Sequence, residues 1–471
     1  MAGIALFLFF LLVNPFGVNP NACKVLAIAS LMITWWIGEA LPMPAVALLP
    51  MVLFPLMGIA SLKETTVKYA DPVIFLFMGG FMIGLAIEKW NLHKRIALSI
   101  VNLTGTSGDR IVLGFILATG LISMWLSNTA TTMMMYPIAA SVIFVVSENH
   151  KGTGNIKHFA LAIMLAIAYA SNFGGVATII GTPPNVAFVA FIREKYNHTI
   201  PFANWAMVCT PLAIILLFSL YFVMVKWLYP NRIKSSEATR DVIRHELKQL
   251  GPLSAAEKRV LFIFGGTALL WITKDLINAI GWFTLDDTMI AVAGALALFI
   301  CPSGKNNLPS SKYILEWSDT SKMAWGILLL FGGGIALAFA LEKAGLIQML
   351  GQWIAGMSGT GGFVLVLMIT LVSLFISEVM SNIAQVIVFA PVIGGIADAL
   401  HIDPILLGLP MTLGASCASM MPMGTPPNAI VFASGHIQMK QMMRTGFVMN
   451  IVAVILITLF CYFLVPVLMG I

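Results

Sequence analysis

Residues 181–185 read Gly-Thr-Pro-Pro-Asn in the middle of a long apolar stretch, and residues 424–428 repeat the same five residues. An uninterrupted helix is excluded at both places, because two prolines remove two backbone donors and clash with the preceding turn. Threonine followed by proline is nevertheless a good helix start, since threonine caps and proline suits the first helical position. We therefore predict two broken helices, in which Thr182 and Thr425 are the N-caps of the second halves.

A broken helix exposes backbone groups that a continuous helix would satisfy internally. The first half ends in free carbonyl groups, which suit a hard cation such as sodium. The second half begins with free N–H groups and the positive end of the helix dipole, which suit an anion. The repeated motif thus predicts two places where ions of either sign can bind.

Composition identifies the surroundings of these breaks. The chain has 471 residues, of which 59% are hydrophobic and only 10% are charged. A soluble domain needs roughly a quarter of its residues charged, so most of this surface must face lipid or protein. The chain lacks a basic run that would indicate nucleic acid, although its net charge is +6. The five cysteines are scattered without CxxC spacing, which predicts small buried hydrophobes rather than a disulfide framework or a zinc site.

The chain is predicted to be an all-α polytopic membrane protein, because apolar stretches of about 20 residues, the length of a spanning helix, recur throughout. The N-terminal run lacks a basic region and an A-x-A site, and we interpret it as a first span rather than a removed signal. Eleven crossings are predicted, at about 1–13, 22–40, 42–58, 72–89, 157–192 with a break, 203–228, 259–282, 287–302, 323–343, 403–436 with a break, and 445–470.

Two further apolar stretches, 110–146 and 360–398, carry Ser-Asn at their midpoints instead of a charged loop. We predict that each is a re-entrant helical hairpin, because non-helical backbone at that depth must be buried in protein or line a watery cavity. A cytoplasmic N-terminus places most of the 26 Lys and Arg residues on the cytoplasmic side of a cell (inner) membrane. The mixed-charge segment 230–258 is predicted to be a cytoplasmic linker helix.

The two halves of the chain repeat each other. Residues 77–88, FMGGFMIGLAIE, resemble residues 331–342, FGGGIALAFALE, and the shift of 254 positions (342 minus 88) also superimposes the two Ser-Asn segments. An odd number of crossings between equivalent points predicts an inverted repeat, with its site near the midplane. The predicted division is 1–90 and 91–229 for the two parts of the first repeat, 230–258 for the linker, and 259–345 and 346–471 for the two parts of the second repeat.

The hairpin tips offer hydroxyl and amide groups. Ser123 and Ser127 lie one helical turn apart and are followed by Asn128, and Ser377, Ser381 and Asn382 repeat this pattern. Neutral oxygen ligands predict a monovalent cation, since calcium normally demands carboxylates. Such polar residues also hold transmembrane helices together, but their recurrence in both halves favours a site.

The tips and breaks contain no Arg or Lys, and their one acid, Glu378, either lies near the cavity or faces the outer solvent. A bound anion would therefore need nearby mobile cations, which is a physical reason for symport.

These motifs resemble the divalent anion/sodium symporter (DASS) family, over nearly the whole chain. The resemblance implies a sodium-coupled di- or tricarboxylate carrier in the lipid bilayer, a homodimer that works by an elevator mechanism. It implies one sodium site at Ser123, Ser127, Asn128 and Gly181, and another at Ser377, Met380, Asn382 and Gly424. It implies a carboxylate site at Asn128, Thr129, Thr182, Ser381, Asn382, Thr425 and Pro426.

One position departs from the family pattern, because Ile383 stands where a threonine is expected. Succinate, malate, fumarate, citrate, another carboxylate and sulfate all remain open as substrates. Proton coupling, exchange on the same scaffold and an ion channel are alternatives. The chain has no HExxH, no G-x-S-x-G and no paired catalytic acids, so an enzyme is not predicted.

Overall fold

The computed structural model describes residues 2–38, 40–149, 156–235, 237–281, 284–304, 311–349 and 362–470, and in these ranges the chain is helical, with one isolated β-bridge. The start of the predicted second hairpin, up to residue 361, lies outside the described residues. The α-helices are Ala2–Val13, Pro20–Ile37, Met43–Val46, Leu49–Leu56, Leu62–Lys68, Pro72–Lys89, Leu92–Thr104, Gly108–Ser123, Asn128–Asn149, Ile156–Gly175, Pro183–Tyr196, Phe202–Tyr221, Glu237–Gln249, Ala255–Ala279, Asp287–Ile300, Trp325–Lys343, Phe363–Ser377, Asn382–Leu400, Pro404–Ser416, Pro426–Phe432, Met439–Phe463 and Val465–Met469.

Length and composition make nine helical segments of the described chain suitable for crossing a membrane. They confirm a polytopic all-α membrane protein, while the number of eleven crossings stays a prediction. Several predicted spans are short apolar helices, and the second arm of each hairpin is long enough to be a span. The nine segments are Pro20–Ile37, Leu62–Lys89, Asn128–Glu148, Ile156–Gly175, Phe202–Leu228, Ala255–Ala279, Trp325–Lys343, Asn382–Leu400 and Met439–Phe463.

Both predicted hairpins consist of two helices that meet at the Ser-Asn segment. In the first hairpin the helix Gly108–Ser123 is followed by a short link and by Asn128–Asn149. The second hairpin joins Phe363–Ser377 to Asn382–Leu400 in the same manner. Each asparagine is therefore the first residue of a second arm, where its side chain stands beside unpaired backbone N–H groups.

Both predicted helix breaks are present, and each second half begins at the first proline of its pair. The first broken helix comprises Ile156–Gly175 and Pro183–Tyr196, and the second comprises Pro404–Ser416 and Pro426–Phe432. The first half of each broken helix packs against the first arm of the hairpin from the same repeat. The repeated sequence thus corresponds to repeated packing.

The linker region contains a surface helix, Glu237–Gln249, as expected from its amphipathic pattern. It packs on the helix Leu92–Thr104, which the hydropathy pattern did not predict because its first turn carries charged residues. Lys94 of that turn forms an ion pair with Glu246 at 3.0 Å, and Arg95 donates to Glu257 at 2.6 Å. These two ion pairs connect the linker segment to the helix Leu92–Thr104, which directly precedes the first hairpin.

Small residues let the first hairpin approach the first broken helix closely. A Cβ atom placed on Gly174 would lie 2.6 Å from the Cα atom of Gly120, a position that real Cβ atoms do not adopt. Because the obstacle is backbone rather than a flexible side chain, the two helices would have to separate. The separation would move the hairpin tip relative to the break.

We predict that Gly174→Ala lowers the free energy of unfolding by about 1–3 kcal/mol, the usual cost of overpacking. The matched control is Gly266→Ala, because a Cβ there has no atom within 4 Å. Thermal unfolding of the two purified variants in detergent measures the difference. Equal unfolding midpoints for both variants and the unsubstituted protein would contradict the prediction.

Candidate functional site

One cavity of about 1180 Å³ lies where the two hairpin tips and the two helix breaks meet. It is larger than a small anion requires, since ligand pockets commonly occupy roughly 300–1,000 Å³. Its wall includes all seven residues that the sequence predicted for the anion: Asn128, Thr129, Thr182, Ser381, Asn382, Thr425 and Pro426. Residues separated by some 300 positions in the chain are therefore neighbours at one place.

The first predicted cation site is assembled around Asn128. Ser123 is fully buried, and its hydroxyl is 2.7 Å from the Asn128 amide oxygen and 2.7 Å from the Ser171 carbonyl. A Cβ on Gly175 would lie 3.2 Å from Cγ of Asn128, and one on Gly181 would lie 3.1 Å from Cα of Gly175. Atoms of the tip and of the break thus pack closely against each other around Asn128 and Gly175.

The second predicted cation site has the same arrangement around Asn382. The Ser377 hydroxyl is 3.0 Å from the Asn382 amide oxygen and 2.6 Å from the Ala415 carbonyl. A Cβ on Gly424 would lie 3.4 Å from the carbonyl oxygens of both Ser377 and Met421. Met380 lies in the link between the two arms and lines the cavity.

The serine directly before each asparagine lines the cavity, whereas the serine one turn earlier is buried. Ser127 lines the cavity and accepts a 3.2 Å hydrogen bond from the N–H of Ala130. Ser381 also lines the cavity and holds the N-cap position of its arm without a side-chain cap bond. Ser127 and Ser381 are therefore open to a solute, while Ser123 and Ser377 hold the asparagine oxygens from behind.

Both threonines hold the N-cap position of their second half-helices, as predicted, but only Thr425 makes a side-chain cap bond. Thr425 accepts a long 3.4 Å hydrogen bond from the N–H of Asn428, as an N-cap does. Thr182 has the extended backbone of an N-cap, but its side chain makes no cap bond. The N–H of Asn185 instead donates to the Thr182 carbonyl at 3.2 Å, so the Thr182 hydroxyl is not engaged in capping.

Asn172 joins the two halves, and the sequence analysis missed it. Its amide oxygen accepts from the side-chain N–H of Asn128 at 3.3 Å, and its own N–H donates to the Thr425 hydroxyl at 3.1 Å. The first tip is thereby connected to the second break through one fully buried side chain. The available signal was an asparagine within an apolar helix, a few residues before the break.

Asn185 and Asn428, the last residues of the two repeated motifs, hydrogen-bond to backbone carbonyls of their own breaks. The side-chain N–H groups of Asn185 are 3.2 Å from the carbonyl of Gly175 and 2.8 Å from that of Thr178. Asn428 bonds the carbonyls of Ala418 and Met421 at 3.4 Å and 3.1 Å. Both asparagines are buried, and neither amide oxygen has a hydrogen-bond partner. These two residues shape the unwound backbone, a role that the sequence analysis did not assign.

The structure decides between the two positions considered for Glu378. Its side chain is 4% exposed and accepts hydrogen bonds from backbone N–H groups of the second break. The interpretation that Glu378 faces the outer solvent is wrong, because the hairpin folds back onto the broken helix and covers this residue. The carboxylate lies behind the cavity wall.

Ionisable groups on the cavity wall come from elements other than the tips and breaks. Glu88, His93 and Lys322 belong to the wall. In the part of the chain that the structure describes, no three His, Cys, Asp or Glu side chains come together to hold a metal ion. All five cysteines are free, and four of them are buried, as predicted for small core residues.

Comparison with known proteins identifies relatives along the full chain. The family model described as the sodium:sulfate symporter transmembrane region matches residues 1–471. A protein of Staphylococcus saprophyticus named sodium-dependent dicarboxylate transporter SdcS is 39% identical over 466 residues, which cover 98% of this chain and 89% of that protein. SdcS of Staphylococcus aureus is 38% identical over 452 residues, covering 95% of this chain and 86% of that protein.

Two solved structures share the fold. MtrF of Neisseria gonorrhoeae has a TM-score of 0.54 at 13% identity, covering 85% of this chain and 83% of that one. The YdaH transporter of Alcanivorax borkumensis has a TM-score of 0.54 at 15% identity, covering 93% and 98%. At this identity the likeness concerns the fold alone. The family model matches this chain along its full length, and the relatives named above match nearly all of it. The chain therefore belongs to the divalent anion/sodium symporter family of integral membrane transporters.

Proposed function

We infer that this protein is a secondary active transporter that carries a small di- or tricarboxylate together with sodium across the cell membrane, with its N-terminus in the cytoplasm. The observation that carries the inference is the meeting of two oxygen-rich tips without Lys or Arg and two helix breaks in one cavity. The relatives named sodium-dependent dicarboxylate transporters support the same conclusion.

The two cation sites are proposed where a serine hydroxyl, an asparagine oxygen and the glycine of a break converge. The first site uses Ser123, Ser127, Asn128 and Gly181, and the second uses Ser377, Met380, Asn382 and Gly424. Hydroxyl, amide and carbonyl oxygens match the preference of a hard cation. Their mirrored hydrogen bonds in the two halves support a pair of equivalent sites.

The anion is proposed to lie between the two tips, against the two threonines of the breaks. The Thr182 hydroxyl is not used as a cap and can donate to a carboxylate, as can Thr129 and Ser381. The N-terminal end of the helix Pro426–Phe432 adds its dipole. A charge at this depth costs several kcal/mol when isolated, so sodium ions beside the anion stabilise its binding.

The same proposal includes an elevator movement and a homodimer, as the resemblance to the family implies. The transport part comprises 91–229 and 346–471, and the scaffold comprises 1–90 and 259–345. Contacts between the two halves of the transport part support its movement as a unit, since Pro183–Tyr196 packs on Asn382–Leu400 and Asn128–Asn149 packs on Pro426–Phe432.

Sulfate is the second candidate substrate, because the family description names a sodium:sulfate symporter. Proton coupling, exchange and a channel are further alternatives.

A thermal-shift screen of succinate, malate, fumarate, citrate and sulfate in sodium chloride, with choline chloride as the control, tests substrate and coupling together. We expect a di- or tricarboxylate to stabilise the protein only when sodium is present, by about 2.7 kcal/mol at 100 times its Kd. Equal stabilisation in choline chloride would contradict sodium coupling.

Counterflow in proteoliposomes separates a carrier from a channel. Only a carrier accumulates labelled substrate in exchange for unlabelled substrate in the absence of a net gradient. We expect accumulation of the carboxylate that the thermal-shift screen identifies.

Removing either tip amide is predicted to abolish sodium-dependent uptake. Asn128→Ala and Asn382→Ala each delete an oxygen shared between a cation site and the anion site. We expect uptake in proteoliposomes to fall at least 100-fold, because a charged solute loses a ligand in a low-dielectric site, where such a loss costs about 3 kcal/mol. Asn102→Ala, on the helix Leu92–Thr104 away from the cavity wall, is the control. Undiminished uptake in both tip variants would contradict the site.

Restoring the threonine of the family pattern is predicted to strengthen dicarboxylate binding. Ile383 lines the cavity directly after Asn382, so Ile383→Thr places a hydroxyl beside the anion. A hydrogen bond to a charged group is worth about 1.5–3 kcal/mol, and we expect the KM for succinate to fall about tenfold. The uptake of labelled succinate at saturating sodium measures it. An unchanged or higher KM would show that Ile383 does not face the substrate.

A further inference from the structure

Glu378 breaks the symmetry between the two halves of the site. The shift of 254 positions that superimposes Ser123 on Ser377 places Met124 on Glu378 (378 minus 254). All the other side chains assigned to the tips are neutral in both halves. One tip therefore contains an ionisable group that the other lacks.

The carboxylate of Glu378 has an unusually complete set of donors. Its Oε1 atom accepts from the N–H of Ser419 at 2.8 Å, from that of Met420 at 2.9 Å and from Nδ2 of Asn450 at 2.6 Å. Its Oε2 atom accepts from the N–H of Met421 at 2.8 Å. Four donated bonds match an ionised carboxylate, which only accepts. Among the described residues, no Lys or Arg forms an ion pair with it.

This carboxylate lies beside the second proposed cation site. It directly follows Ser377, and a Cβ on Gly424 would lie 3.2 Å from Oε2 of Glu378. The carbonyl oxygens of Ser377 and Met421 approach the same glycine. Glu378 is also the C-cap of the helix Phe363–Ser377, whose C-terminal end carries partial negative charge. The Glu378 carboxylate, the two carbonyl oxygens and the helix end thus place negative charge and partial negative charge around Gly424.

In the first half, the hydrogen bond between tip and break that corresponds to the Glu378–Met421 bond involves no charged group. The carbonyl of Met124 accepts from the Thr178 hydroxyl at 2.5 Å, and the shift of 243 positions (424 minus 181) carries Thr178 onto Met421. In both halves the residue after the buried serine therefore bonds the same position of the break. In the first half the neutral hydroxyl of Thr178 in the break donates to a backbone carbonyl of the tip. In the second half a backbone N–H of the break donates to the carboxylate of Glu378 in the tip.

We propose that Glu378 is a positioning residue and a fixed counter-charge, which makes the second sodium site, at Ser377, Asn382 and Gly424, bind sodium more tightly than the first. The carboxylate holds the backbone of 419–421 against the tip and attracts the cation through the low-dielectric interior. The buried charge in turn requires a compensating cation nearby. This inference rests on the sodium-coupled function proposed above.

Sodium alone, without any carboxylate substrate, is the probe. We expect the thermal stabilisation of the unsubstituted protein by sodium chloride, measured against choline chloride, to show two concentration ranges. The tighter range should vanish in Asn382→Ala and persist in Asn128→Ala. Loss of the tighter range in Asn128→Ala instead would overturn the proposal.

The decisive variant is Glu378→Gln, which removes the charge and retains the shape. We expect the sodium concentration for half-maximal uptake to rise at least tenfold, while the KM for the carboxylate at saturating sodium changes less than threefold. Asn450→Ala is the matched control, because it removes one donor from Oε1 and keeps the charge, and we expect its half-maximal sodium concentration to change less than threefold. A purely structural role would lower stability in both variants without moving the sodium dependence.

The outcomes separate this inference from the function on which it rests. Absence of sodium-dependent uptake in the unsubstituted protein overturns the proposed function. Sodium-dependent uptake with an unchanged sodium requirement in Glu378→Gln overturns only the role of Glu378. Should Glu378→Gln fail to fold, Glu378→Asp keeps the charge and retracts it by one methylene. We expect its tighter range of sodium stabilisation to persist at a higher sodium concentration, whereas that range vanishes in Asn382→Ala. Loss of the tighter range in Glu378→Asp as well overturns the proposal.

Discussion

The structure depends on one constraint, which is that backbone N–H and C=O groups inside a membrane protein must find partners without help from bulk water. Two proline pairs violate this constraint, since each interrupts a helix deep in the protein. The asparagine after each pair meets part of the demand by donating to carbonyls of its own break. Both breaks contribute residues to the wall of the cavity, among them Thr182, Pro183, Gly424 and Thr425.

The same constraint accounts for the chemistry of the cavity. Carbonyl ends, hydroxyls and amide oxygens accumulate there because irregular backbone must be surrounded by polar partners. This chemistry supports the proposal that a cation and an anion bind next to each other there. Two hydrogen bonds of Asn172 join the first tip to the second break, so the two halves of the cavity wall are in direct contact through one buried side chain.

Sequence reasoning succeeded where a local pattern has a single physical solution. Two prolines in an apolar stretch end a helix in any context, and both breaks lie where the motif placed them. It failed where a side chain has several partners to choose from. Thr182 holds the N-cap position but makes no side-chain cap bond, because the N–H of Asn185 bonds a backbone carbonyl instead. The position of Glu378 depended on how the hairpin folds back. The number of crossings does not follow from the sequence at the two hairpins, because their second arms are as long as membrane-spanning helices.

The amino-acid sequence by itself determined the class of the protein, the duplication, the two breaks and the set of small polar residues around them. These features depend on composition and on short-range geometry, which are properties of neighbouring residues. Only the tertiary structure decided that Asn172 joins the two halves, that Asn185 and Asn428 close the breaks, and that Glu378 lies buried against the backbone of 419–421. The contacts of Asn172 and Glu378 join residues far apart in the chain, and those of Asn185 and Asn428 cross an unwound segment whose path no local pattern encodes. Their energies depend on burial and distance.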